Sequence, residues 1–252
     1  MLAVEGVTKA FEGVLALDEV SLEVAAHSIT ALVGPNGAGK TTLFNIVAGS
    51  YPPTRGTVRL EGRTLDGVPT HARVRLGIGR TFQNALLFDN MTVLENVMVG
   101  RHVHGRTGMI AAALRLPMMR AEEERLYLDG MKYLNLVGLG QRAQMLAGSL
   151  PFGQQRLVAI ARALATEPRL LLMDEPAAGL NALEKLDLAD LIRRIQEMGI
   201  TVLLIEHDMP LVMQLAEQII VLDHGRKLAE GTPEQIRRDR KVLAAYLGEG
   251  AV

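Results

Sequence analysis

The apolar residues of this chain follow two rhythms. Near the start, LAVEGV, VSLEV and SITALV are short segments in which aliphatics alternate with polar residues or run together, the signature of strands. A helix is predicted from Lys40 and is stopped by Gly49. After Pro52 and Pro53, GTVRLEGRTL reads as a hairpin turning at Glu61 and Gly62, and GIGRTFQ as a further strand. Between about Leu87 and Thr166 the period becomes helical: Thr92–Glu95 has capping-box spacing, and AEEERLYLDGMKYL continues as a charged amphipathic helix. From Pro168 strand and helix alternate again, through LLLMDE, ALEKLDLADLIRRI, ITVLLIEHD, PLVMQLAE and QIIVLDHG to a last helix opened by Thr232 and Pro233. Such alternation implies an α/β core with a parallel sheet covered by helices. The expected division is one domain, with core at 1–86 and 167–252, a helical subdomain at 87–166, and no internal repeat.

Set on this pattern, Gly34–Thr42 (GPNGAGKTT) gains a mechanism. It matches G-x-x-x-x-G-K-[ST] between a predicted strand and the mouth of a predicted helix. Gly34, Pro35, Asn36, Gly37, Ala38 and Gly39 form a loop whose glycines let backbone amides turn toward phosphates, and the helix start adds partial positive charge. Lys40 would reach the β and γ phosphates, Thr41 would give its hydroxyl to Mg²⁺, and Thr42 completes the cradle. The plainer alternative is a glycine-rich turn beside a surface lysine. RLLLMDEP (169–176) is an aliphatic strand ending in two carboxylates that face opposite ways. Asp174 suits a magnesium-water shell and Glu175 the attacking water; an acidic pair of this kind can also be a solvated turn.

Composition narrows the ligand classes. Over 252 residues, 48% hydrophobic, the chain can build a sizeable core, and 27 Lys+Arg against 28 Asp+Glu leave a net charge of −1. No basic excess points to nucleic acid, so an anion site must be local. The absence of cysteine removes disulfides, thiolate metal sites and cysteine nucleophiles, and fits a reducing compartment. MLAVEGVTKAFEG has no apolar stretch of signal-peptide length, so the chain is expected to stay inside the cell. MIAAALRLPMM (109–119) and LLLM (170–173) fall short of the roughly 20 apolar residues that cross a bilayer.

The order of these pieces resembles the ATP-binding subunit of ABC transporters over essentially the whole chain. The resemblance implies a P-loop NTPase core with a mostly parallel sheet, an N-terminal antiparallel β subdomain and an inserted α-helical subdomain. It implies ATP and Mg²⁺ as cofactors, and ATP hydrolysis coupled to transport. Phe11 falls where the family stacks an aromatic ring on adenine; taken alone, a single phenylalanine reads as core. Gln83 matches the Q-loop, which contacts the magnesium-water site and moves with the membrane subunits. His207 matches the switch histidine that bonds the γ-phosphate; alone it reads as a surface or capping histidine. AAGLN (177–181), ending at Asn181, matches the D-loop that touches the partner subunit.

LPFGQQ (150–155) stands where the family has LSGGQ, the helix start that approaches ATP held by the opposite subunit. Leu150, Gly153 and Gln154 match; Pro151 and Phe152 replace the serine and first glycine. The γ-phosphate hydroxyl is lost and Pro151 has no N–H, yet proline tolerates a first helical turn, so the helix start is expected to persist. A purely structural reading makes Leu157, Ile160, Ala161 and Leu164 a core stripe that Pro151 begins. The variant signature, GRTGMIAAALRLPMMR, IEHDM and the terminal AAYLG together resemble the branched-chain amino acid importer subgroup.

That subgroup implies a homologous ATPase partner, with a heterodimer favoured over a homodimer, transmembrane permease subunits, an indirect link to a solute-binding protein, and a cytoplasmic place on the inner face of the membrane. Alternatives are an amide or lipopolysaccharide-type transporter, a soluble ABC ATPase acting on nucleic acid or ribosomes, and a simple P-loop kinase. His102 and His104 lack a third ligand nearby, and RRDRK (237–241) reads as the solvated face of a short helix.

Overall fold

β1 (Leu2–Phe11) and β2 (Val14–Val24) form an antiparallel hairpin. Leu17, Val20, Leu22 and Val24 are buried between exposed Glu19, Ser21 and Glu23, the alternation expected of a sheet covered on one face. β4 (Arg55–Leu60) pairs antiparallel with the other edge of β1, Leu2 opposite Leu60 and Val4 opposite Val58. β5 (Arg63–Thr64) then closes the order β2-β1-β4-β5. The turn into it falls at Glu61 and Gly62, as predicted, both with positive φ (50° and 78°), which a two-residue hairpin demands.

The computed structural model describes residues 1–82, 86–104 and 117–247, and it divides into two compact units, Met1–Arg73 with Arg169–Val252, and Val74–Pro168. In the first unit a second sheet runs β10-β9-β3-β8-β7. β3 (Ile29–Val33), β7 (Leu170–Asp174) and β8 (Thr201–Ile205) are buried at every position, so their sequences read as mostly aliphatic runs without alternation, with Thr30, Asp174 and Thr201 the buried polar exceptions. β3 lies parallel to β8 and to β9 (Gln218–Asp223), and β7 parallel to β8. β10 (Arg226–Gly231) folds back antiparallel on β9; its polar sequence RKLAEG hid it from the periodicity.

α1 (Lys40–Ala48) follows β3 and ends at Gly49, where Gly49 N–H reaches Ile46 O (3.1 Å) and Ser50 N–H reaches Asn45 O (2.8 Å), a Schellman closure. That end is also held by Arg73, a buried residue of the unpredicted helix α2 (Thr70–Arg75). Its guanidinium donates to Ile46 O (2.6 Å), Val47 O (2.8 Å), Leu65 O (2.8 Å) and Val68 O (2.8 Å). A Cβ at Gly49 would lie 2.6 Å from Arg73 Nε, so only glycine admits this clamp.

The second unit holds β6 (Ile78–Arg80), α3 (Val93–Arg101), α4 (Pro117–Leu136) and α5 (Phe152–Leu164). The predicted capping box opens α3, with Glu95 N–H donating to Thr92 Oγ1 (3.1 Å) and Thr92 N–H to Glu95 Oε2 (2.7 Å). Val97, Leu134, Ile160 and Leu164 are buried among its helices. A Cβ on Gly100 would meet Arg162 O at 2.2 Å, so α3 and α5 approach backbone to backbone there. Arg101 is buried and answered by Asp129 (2.7 Å) and Glu167 (2.8 Å).

After β7 come α6 (Ala182–Glu197), α7 (Met209–Leu215), α8 (Pro233–Arg238) and α9 (Arg240–Leu247) in the first unit. RRDRK is not one helical face: Asp239 breaks the helix and caps α9, accepting Lys241 N–H at 2.8 Å.

Candidate functional site

The loop after β3 is shaped by glycines that no other residue could replace without strain. Gly34, Gly37 and Gly39 have φ of 148°, 83° and 98°. A Cβ would lie 2.1 Å from Leu222 O at Gly34 and 2.6 Å from Ala16 O at Gly39. Gly39 is the N-cap of α1, no side chain caps that start, and no acidic residue lies in its first turn. Ala38 N–H is used within the loop, on Pro35 O (3.2 Å). The amides of Gly37, Gly39, Lys40, Thr41 and Thr42 have no acceptor among the described residues. A concavity of bare backbone, lined by free N–H groups at the positive end of a helix, fits a phosphate chain.

Lys40 is buried and spans the loop, its Nζ donating to Gly34 O (2.7 Å) and Pro35 O (2.9 Å). Burial lowers its pKa from the usual lysine range, while the carboxylates of Glu175 and Asp174 pull it back up. Thr41 is exposed on the first turn of α1 and Thr42 is half-buried. Asp174 closes β7 and is buried. Glu175 follows in the left-handed region at φ 46°, a strained conformation for a non-glycine residue, with its N–H on Ile205 O (2.9 Å). This turn sends its carboxylate outward, where Oε1 lies 3.8 Å from Nδ1 of His207, an exposed residue just past β8. Lys40, Asp174, Glu175 and His207 therefore converge from three parallel strands, β3, β7 and β8, at their C-terminal ends, the edge where open α/β sheets bind ligands. The hydroxyl of Thr41 and the carboxylate of Asp174 are hard oxygen donors, which suits Mg²⁺.

Other predicted residues stand apart. Phe11 ends β1 and is 41% exposed, so it is not core; its ring meets Tyr51 edge-on at 5.2 Å, with Lys9 Nζ 4.9 Å from its centroid. Asn181 is the N-cap of α6, its Oδ1 accepting from Leu183 and Glu184 N–H (3.0 Å each). Gln83 lies outside the described residues.

In the second unit LPFGQQ does open a helix. Pro151 is its N-cap (φ −55°, ψ 149°), Leu150 is buried beneath it, and no side chain caps the start. Gly153 is half-buried, Gln154 Oε1 accepts from Arg142 (2.6 Å), and Phe152 is exposed with the Arg156 guanidinium over its ring at 5.0 Å. Ile160, Ala161 and Leu164 form the expected stripe, joined by Val158 and Ala159, whereas Leu157 is half-buried.

Sequence reasoning missed two neighbours of the site. Asp208 caps α7 through Leu211 N–H (3.1 Å) and pairs with Lys185, whose hydrogen bond depresses its pKa. Glu206 is 99% buried behind His207. The one available signal was an acidic residue directly after the apolar run VLLI, in IEHD.

Comparison with known proteins adds two family models, one relative and two solved structures. The sequence model of the family described as ABC transporter matches residues 17–178, and one described as branched-chain amino acid ATP-binding cassette transporter matches residues 226–252. The high-affinity branched-chain amino acid transport ATP-binding protein BraF of Pseudomonas aeruginosa is 46% identical over 250 residues, 99% of this chain and 98% of its own length. A nucleotide-free ATP-binding cassette from an ABC transporter superposes with a TM-score of 0.86 at 32% identity, covering 98% of this chain and 99% of that one. A dimeric cassette in a post-hydrolysis state bound to ADP and Pi does so with a TM-score of 0.78 at 28% identity, covering 92% and 99%.

Proposed function

This chain belongs to the ABC transporter family, and on that premise we propose that it is the ATP-hydrolysing subunit of an importer of branched-chain amino acids. The hydrolytic reading is carried by the convergence of Lys40, Asp174, Glu175 and His207 around an uncapped helix start. The cargo reading is supported by BraF and by the match of residues 226–252.

In this reading Phe11 stacks on adenine, and the backbone from Gly34 to Gly39, with Lys40 and Thr42, holds the phosphates. Thr41, Asp174 and Gln83 would hold Mg²⁺. Bound there, the ion would neutralise charge on the transferring phosphoryl oxygens. Glu175 orients the attacking water and takes its proton, and His207 donates to the γ-phosphate. Gly153, Gln154 and Asn181 face the nucleotide of a homologous partner ATPase, a heterodimer being favoured by the altered signature; Leu150, expected to join them, is buried and supports the helix start from beneath. The pair works on transmembrane permease subunits from the inner face of the membrane, with a solute-binding protein acting on their far side.

Two measurements test this. E175Q is expected to keep ATP binding and lose at least about 100-fold in turnover; full turnover in that variant removes the assigned roles. For cargo, the native complex in vesicles should take up labelled leucine, isoleucine or valine only when ATP is supplied. Uptake of some other solute, and none of these three, overturns the importer assignment.

A further inference from the structure

Glu206 stands at the end of β8, 1% exposed, directly between the segment that carries Glu175 and the residue His207. Its two carboxylate oxygens serve different loops. Oε1 accepts Ala177 N–H at 2.7 Å, from the turn that follows Glu175. Oε2 accepts His207 N–H at 3.2 Å and approaches Asp208 N–H at 3.5 Å. A third tie, Glu175 N–H to Ile205 O at 2.9 Å, joins the same two segments.

We propose that Glu206 is a positioning residue whose carboxylate sets the spacing between the loop bearing Glu175 and the loop bearing His207. This rests on the reading of those two residues as the hydrolytic pair.

The donor set dictates the chemistry at this position. Every contact brings an N–H, so both oxygens must accept. An ionised carboxylate accepts at both oxygens and brings no donor; an amide turns one side into a donor that faces a donor, and a protonated acid adds an O–H for which these contacts supply no acceptor. Burial works against ionisation and raises the Glu206 pKa, while the amides of Ala177, Asp208 and His207 and the charge of His207 oppose that rise. A wholly buried carboxylate is a costly way to fill space, and an apolar residue would fill it as well. What the carboxylate supplies, and an apolar residue cannot, is a rigid link between two backbones 29 residues apart in sequence. Across that link Glu175 Oε1 and His207 Nδ1 sit 3.8 Å apart. An error of about 1 Å in such a pair can cost on the order of 100-fold in rate.

The test uses the full chain, with steady-state ATP hydrolysis and thermal melting measured on the parent, E206Q, E206D and E175Q. E206Q, which has the same shape, is expected to lower kcat by about 10- to 100-fold while KM for ATP stays within about twofold. E206D keeps two charged acceptors on a shorter stem and should retain more of kcat than E206Q. A merely structural role predicts instead a lower melting temperature with parental kcat in the folded protein. Parental kcat in E206Q, with E175Q inactive in the same assay, overturns the positioning role and leaves the hydrolytic reading intact. Full activity in both variants overturns the two together. If E206Q does not fold, E206D decides alone: reduced kcat at unchanged KM supports the role, and parental kcat overturns it.

Discussion

Helices α1 and α6 start by opposite means. At α6, Asn181 Oδ1 takes the N–H groups of Leu183 and Glu184, and Glu184 Oε2 returns to Asn181 N–H at 2.9 Å, so the helix satisfies its own first turn. α3 and α8 do the same with Thr92–Glu95 and Thr232–Gln235. At α1 a glycine stands in the capping position, no side chain caps it, and its first turn carries no acidic residue. The contrast teaches how an anion site is built within an ordinary fold. The same backbone groups that elsewhere consume side chains are left unsatisfied where a ligand is to supply the acceptors. α5 belongs with α1 in lacking a cap, yet it is entered through an extended proline and not through left-handed glycines. Its start is open without being wrapped.

Since α1 has no support at its first turn, its far end should matter. Arg73→Leu removes the guanidinium that donates to four carbonyls, two of which, Ile46 O and Leu65 O, keep a backbone donor. It is expected to cost about 3 kcal/mol, a fall of roughly 6–12 °C in melting temperature for a chain of this size. An unshifted melting curve would break the idea that α1 is held from behind. Next in size, Gly39→Ala puts a side chain at φ 98° and 2.6 Å from Ala16 O. The strain, about 2 kcal/mol or more, should weaken ATP binding about 30-fold, and unchanged affinity would show that the loop does not need its left-handed turn.

The α5 start can be sharpened by restoring the hydroxyl and the glycine together. Pro151→Ser with Phe152→Gly is expected to raise the ATPase rate about tenfold. If neither that rate nor nucleotide-dependent dimerisation moves, the variant signature carries no penalty. The smallest effect is expected from a start that serves only its own helix. Thr92→Ala should cost about 1 kcal/mol, roughly 2–4 °C by melting, with ATP hydrolysis as in the parent. A loss of hydrolysis there would blur the division between capped and open starts.

Much of this molecule was legible before folding, because the informative residues are neighbours in the chain. The hairpin at Glu61–Gly62, the capping box at Thr92–Glu95, the helix stop at Gly49 and the phosphate loop with its lysine are all patterns within a few residues of one another. The strands that the apolar runs announced were found, since a strand buried on both faces reads as a short aliphatic run, and these runs are too short for a buried helix. β10 escaped because its half-exposed residues leave no apolar run, and α2 because six residues are too few to show a helical period.

The amino-acid order by itself thus determined most of the elements and their succession, and the glycine-lysine loop of residues 34–42 that is proposed to hold phosphate. The tertiary structure decided that Arg73 would clamp a helix 26 residues upstream, that Glu206 would hold a loop 29 residues away, and that Glu175 would turn left-handed to meet His207. Periodicity and capping act between near neighbours, whereas a buried charge chooses its partners only after the strands have brought distant backbones within hydrogen-bonding reach.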